Sequence, residues 1–147
     1  MKPRLNIEQA APQGYKQLLQ LEGYLSTTDI PVKQKELMKI RASQINGCAY
    51  CLNMHIKGAL KNGETEQRIH MICVWHEADD IFTVEEQLLF KMTEEITLIH
   101  QHGLSDETYD KAIRLFGEEK TAQIIMIIIT INGWNRLAVS LRTEPEW

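Results

Sequence analysis

Residues 36–55 read Glu36-Leu-Met-Lys-Ile-Arg41-Ala-Ser-Gln-Ile-Asn-Gly47-Cys48-Ala-Tyr-Cys51-Leu-Asn-Met-His55. The run divides at Asn46-Gly47. Glycine enters the left-handed region without the steric cost a side chain meets there, so this dipeptide is a natural C-terminal helix cap. The spacing predicts a new helix from about Cys48 to the next such signal, Asn62-Gly63. Upstream, Pro31 opens the first helix of the pair, at a position where its missing N–H removes no intrahelical bond.

Working outward, the same logic finds helices almost everywhere and almost no strand alternation. One helix is predicted through about Pro12–Tyr24, with Tyr15, Leu18, Leu19, Leu21 and Leu25 as its apolar set, and another over about Thr65–His76. Thr83 and Glu86 form a capping box opening a helix that is expected to run to His102 and stop at Gly103. Ser105 opens a short helix ending at Gly117. The last helix, about Glu119–Leu141, carries Ile124-Ile125-Met126-Ile127-Ile128-Ile129 and must be buried on most sides, in the core or against another subunit. The expected fold is all-α, a single-domain bundle of about six or seven helices over residues 1–147, assembled as an oligomer.

With 147 residues, 44% of them hydrophobic, the chain can bury one real core. Its net charge is -4 and no basic stripe is present, which argues against a nucleic-acid partner. The N-terminal run Met1-Lys2-Pro3-Arg4-Leu5-Asn6 lacks the marks of a signal peptide, and Ile124 to Ile131 is too short to cross a bilayer. A cytoplasmic protein with no membrane partner is expected. Three cysteines, Cys48, Cys51 and Cys73, are too few for a secreted disulfide scaffold. In a reducing compartment a close cysteine pair is more often catalytic or metal-binding than structural.

On a helix, Cys48, Cys51 and His55 fall at i, i+3 and i+7 and share one face, extended by Leu52, Ile56 and Ala59. The helix N-terminus favours a thiolate. His55 can take a proton from Cys51 or pair with it as imidazolium, and the two sulfurs can close a short disulfide. The dipole argues for Cys48 as the nucleophile and proximity to the base for Cys51. The base carries more weight because it acts directionally. Glu36, between Val32 and Ile40 on the preceding helix, needs a partner to stay charged, and a histidine on the next helix is one candidate.

Other readings of these residues compete with this one. The cysteines can be small core residues, or can join His55 and one of His70, Cys73 or His76 around zinc, although no second motif supplies a fourth ligand. Cys73, between Ile72 and Val74, reads as core. His100 and His102 suit a helix C-terminus. Asn135 and Arg136 read as part of an ion pair holding helices together, and Glu85-Glu86 and Glu94-Glu95 as solvated faces. No cofactor and no metal are expected.

The Glu36–His55 run resembles the alkylhydroperoxidase D branch of the carboxymuconolactone decarboxylase-like family. That pattern has a glutamate twelve residues before a Cys-x-x-Cys and a histidine four residues after it, and each position is filled here. Trp75-His-Glu-Ala, Phe82-Thr-Val-Glu85 and Asn132-Gly-Trp-Asn-Arg136 are similar to the family as well. The resemblance implies an all-helical fold in trimers or hexamers with peroxidase and disulfide-reductase chemistry. It implies Cys51 as peroxidatic residue, Cys48 as resolving residue, Glu36 and His55 as proton relay, and recycling by a dithiol or a lipoylated protein. One position departs: the best-studied members have histidine just before the second cysteine, and here it is Tyr50. A phenol titrating near pH ~10 does not shuttle protons as imidazole does. The departure bears on the peroxidase rate and leaves the pair and its relay in place. Lactone decarboxylation is disfavoured, since that branch lacks the cysteine pair. The expected activity is thiol-dependent reduction of hydroperoxides or disulfides. The alternative is a redox-responsive or structural homo-oligomer.

Overall fold

The computed structural model describes residues 2–78 and 80–147; Met1, which opens the N-terminal run read above, and Asp79 lie outside them. The described residues form seven α-helices and one 3-10 helix, without a strand. They are α1 (Ile7–Ala10), α2 (Pro12–Ser26), α3 (Val32–Asn46), α4 (Ala49–Lys61), α5 (Glu66–Met71), the 3-10 helix Ile72–Glu77, α6 (Val84–Thr97) and α7 (Asp106–Leu141). The all-helical single domain expected from the sequence is what forms.

Local chemistry sets most of the helix starts. Thr65, Thr83 and Ser105 each accept a bond from the backbone amide three residues on, and Thr83 with Glu86 completes its capping box. Such a cap stabilises its helix by about 1 kcal/mol. Gly47 closes α3 in the left-handed region at φ 65°.

The hub is α3, which packs against α4, α6 and α7. Leu37, Met38, Ile40 and Ala42 are buried, and so are Lys35 and Lys39. The Lys35 ammonium donates to the carbonyls of Leu25 (2.6 Å) and Thr28 (3.3 Å), at the end of α2 where a cation is favoured. Burial, and then the nearby charge of Lys39, pushes the Lys35 ammonium below its ordinary pKa. On one side of α3 a core of Leu25, Met38, Leu89, Met92 and the α7 isoleucines joins α2, α6 and α7. On the other, Leu37, Ile40, Ile72, Trp75, Phe82 and Phe90 tie α4, α5 and the 3-10 helix to α6.

Four boundaries differ from the sequence reading. The α1 turn lies outside every helix the sequence predicts. The Thr65–His76 helix is α only to Met71 and then tightens into 3-10, with Val74 leaving helical geometry at φ -125°, ψ 27°. The predicted end at His102 falls instead at Thr97. There the chain folds back so that Glu95 caps α7, accepting from the Ser105 amide at 2.9 Å and the Thr108 hydroxyl at 3.0 Å. A helix continued to residue 102 would carry Ser105 roughly 10 Å out of reach. Finally, the two C-terminal helices meet directly, at a kink where Gly117 takes φ 77°, ψ 171°, a conformation favouring glycine.

Burial of α7 is one-sided. Ile124, Ile127, Ile128 and Ile131 are inside, whereas Ile129 is 48% exposed. By length and composition α7 is also long and apolar enough to cross a membrane, but its apolar face packs in the core of the bundle.

Candidate functional site

The α3–α4 hairpin builds the site. Gly47 turns the chain, the Cys48 amide donates back to the Ser43 carbonyl at 3.0 Å, and α4 starts at Ala49. Cys48 is therefore the N-cap of α4 and not a residue on its face: its sulfur accepts from the Cys51 amide at 3.3 Å. The two cysteines, 2% and 1% exposed, are joined as a disulfide with Cα atoms 5.4 Å apart, inside the span this bond requires. Ala42, Ile131 and Ala138 pack around them, with Tyr50 and Trp134 at the margin.

One turn beyond Cys51, His55 is buried, and its Nδ1 lies 2.8 Å from Oε2 of Glu36. A carboxylate only accepts, so Nδ1–H donates to it and Nε2 is left as the basic nitrogen of the neutral ring. The partner sought for Glu36 from the sequence is thus His55. Gly58, three residues on, has no side chain to displace the Glu36 carboxyl packed against it.

A cavity of about 780 Å³ opens over Cys51, His55 and Glu36. Its apolar wall includes Tyr15, Leu19, Met54 and Trp134, the Tyr15 ring standing edge-on to Trp134 at 5.5 Å. The N-terminal segment completes one side, anchored where the Arg4 amide and guanidinium donate to the Leu141 and Ser140 carbonyls. Lys39 and Glu22 line the same cavity and form an ion pair across α3 and α2. Sequence reasoning missed both, although Lys39 stands one turn from Glu36 on the same side of α3.

Behind the cysteines runs a ladder of buried amides. Asn46 donates to Oδ1 of Asn132 (3.0 Å) and of Asn135 (2.9 Å). Asn135 donates to the Ser43 hydroxyl at 3.0 Å, and Asn132 to the Thr97 hydroxyl at 2.9 Å. Arg136 donates to the backbone and side-chain oxygens of Asn132, so the ion pair expected at Asn135 and Arg136 is replaced by amide bonds.

Three further expectations are corrected. Glu86 is buried and paired with Arg68, and Glu94 accepts from Arg41 and from the Trp75 indole at 2.7 Å; neither is a solvated face. Glu95, the α7 cap, is half-buried. Cys73 is exposed rather than core. Among the described residues no group of three His, Cys, Asp or Glu is gathered around a point a metal ion could occupy.

This arrangement can do dithiol chemistry: two sulfurs placed to bond, a histidine one turn away, and a cavity with an apolar wall open to a substrate. Known proteins share the fold. The chain is 38% identical over 141 residues to YdfG, an uncharacterized protein of Bacillus subtilis, covering 96% of this chain and 95% of that one. It superposes at a TM-score of 0.94 on the crystal structure of ATU0492 from Agrobacterium tumefaciens, at 34% identity and 99% coverage of both chains. ATU0492 is a protein of unknown function, proposed to be an AhpD antioxidant-defence protein. The debrominase Bmp8 shares the fold, at a TM-score of 0.76 and 18% identity, over 92% of this chain and 72% of its own. The carboxymuconolactone decarboxylase family pattern matches residues 11–95, a stretch that includes Glu36, both cysteines and His55, and the chain belongs to that family.

Proposed function

We propose that this protein is a thiol oxidoreductase that reduces organic hydroperoxides or disulfides through Cys51 and Cys48. The observation that carries the reading is a disulfide whose Cys51 stands one turn from the His55–Glu36 pair and lines the same cavity as that pair.

In the reduced protein His55 Nε2 takes the Cys51 proton, and the Glu36 carboxylate, bonded at Nδ1, favours the imidazolium that results. The thiolate attacks the terminal oxygen of R–O–O–H; an S–O bond forms, the O–O bond breaks, and the departing alkoxide takes the proton back as R–OH. Cys48 then attacks the Cys51 sulfenic acid; the S–S bond forms and water leaves with the Cys48 proton. With a disulfide substrate the same thiolate forms a mixed disulfide, which Cys48 resolves. An external dithiol, small or carried on a lipoylated protein, restores both thiols and leaves as its own disulfide. Tyr50, half-buried beside Cys51, offers no imidazole to speed the peroxide step.

Stopped-flow mixing of the reduced protein with an alkyl hydroperoxide tests this. Rapid loss of two thiols per chain is expected, abolished in Cys51→Ser. A rate equal to that of free thiol, with oxidation instead changing the assembly state, overturns it in favour of a redox-responsive oligomer.

A further inference from the structure

Lys39 is a buried cation in the cavity that the thiol chemistry above does not use. Its side chain is 8% exposed, against 35% for its partner Glu22. Burying an ammonium costs several kcal/mol where an apolar residue would pack as well, so its place in a cleft calls for a reason.

The register of the hairpin supplies one. Glu36 meets His55 and Gly58, while Ser43 meets Cys48 at the turn. Lys39 stands between these two levels on α3, which places it opposite the stretch of the antiparallel α4 between Cys51 and His55. Both residues line the same cavity.

The remaining charges in the cavity do not cancel it. Glu36 is engaged by His55. Arg4, Glu8 and Glu144, contributed by the terminal segments, are exposed and screened by water. Glu22 opposes Lys39 from α2 through Oε1, and of the two side chains the lysine is the less exposed. Lys35, also buried on α3, directs its ammonium away to the α2 carbonyls.

We propose that Lys39 is a positioning residue for the reacting sulfur, its ammonium favouring Cys51 as thiolate at the level where Tyr50 supplies no imidazole. The inference rests on reading Cys51 as the reacting thiol. The step involved is the ionisation of Cys51, with its proton passing to His55 or to water.

The test is the pH profile of iodoacetamide alkylation in the reduced protein, read at Cys51 by peptide mass spectrometry. Lys39→Met is expected to slow alkylation about tenfold below the midpoint, as the loss of one nearby opposite charge dictates. Lys39→Arg restores most of the rate. Glu22→Gln moves it the opposite way, because the ammonium loses its counter-charge. A merely structural lysine would give the reverse pattern, since loosening the cavity exposes the sulfur and speeds alkylation in Lys39→Met. Lys39→Met at or above the parent rate, or Lys39→Arg as slow as Lys39→Met, overturns the proposal. If Lys39→Met does not fold, Glu22→Gln decides alone, an unchanged profile overturning the proposal. Alkylation needs no turnover, so shifted profiles in a protein inert to hydroperoxides and disulfides would sink the proposed function and leave this inference standing.

Discussion

A Cβ placed on Gly58 would stand 3.1 Å from the carboxyl carbon of Glu36 and 3.1 Å from its Oε2, the oxygen bonded to His55. The carboxylate that orients the imidazole therefore occupies the space a side chain at position 58 would need. Gly58→Ala should push it aside by a few tenths of an ångström and weaken its bond to His55. Alanine is also the better helix former by about 1 kcal/mol, so helix propensity offsets the crowding. The expected result is a severalfold slower reaction of Cys51 with hydroperoxide at little change in the urea midpoint. Equal rates would show that the close approach has no bearing on the chemistry.

The order of events at the two sulfurs is separable by substitution. With Cys48→Ser the first step can occur but the disulfide cannot form, so a sulfenic acid should accumulate on Cys51 and react with dimedone. The N-cap survives, because a serine oxygen accepts from the Cys51 amide at least as well as sulfur does. Cys51→Ser should give no sulfenic acid at either position. Labelling at Cys48 in the Cys51→Ser protein would reverse the assigned roles.

How much of this was legible in the sequence follows from the range of each signal. The α3–α4 turn, the Thr83–Glu86 capping box and the Cys51/His55 spacing are local, and each stands where the chain pattern put it. The Glu36–His55 pair needed one step more, two adjacent helices packed in antiparallel register. Lys39 and Glu22 gave no such signal, since a lysine among Lys33, Lys35 and Arg41 reads as a solvated face until α2 and the N-terminal segment close over it. Glu94 and Glu95 misled for the same reason. Their partners Arg41, Trp75, Ser105 and Thr108 lie on other elements, and adjacency in sequence carries no record of them. The family-like runs at Trp75, Phe82 and Asn132 supply core and ladder residues, and Trp134 of the last run also lines the cavity.

Glu95 gives the fold an acid-sensitive joint. Burial opposes its charge, but the bonds from the Ser105 amide and the Thr108 and Ser105 hydroxyls, with Lys91 nearby, outweigh burial and hold its pKa below the ordinary 4.5. A carboxyl whose folded pKa is depressed binds its proton more readily in the unfolded chain. Its contribution is thus whole above pH 4.5 and is lost as the pH falls through the lower folded value. Glu95→Gln should lower the urea midpoint at pH ~7, and the gap to the parent should narrow steadily on acidification below the ordinary carboxylate range. A gap that stays constant with pH would mean the carboxylate charge does not hold the start of α7.

Asn135 is fully buried, accepting from Asn46 and donating to Ser43, and both bonds end on the segment that leads into Cys48. Replacing it with leucine keeps the volume and removes one partner each from Asn46, which keeps Asn132, and from Ser43, which keeps the Lys39 carbonyl, at about 0.5–1.5 kcal/mol per lost bond. The urea midpoint of Asn135→Leu should fall accordingly. Asn46→Ala removes a donor from the same network, so the two losses should not add. The double variant is expected to be more stable than the sum of the singles allows, by about 1 kcal/mol or more. Additive losses would show that the ladder is a set of separate bonds. A coupled loss accompanied by faster reduction of the Cys48–Cys51 disulfide would show that the ladder, by holding the α3–α4 turn, also sets how firmly the oxidised pair is kept.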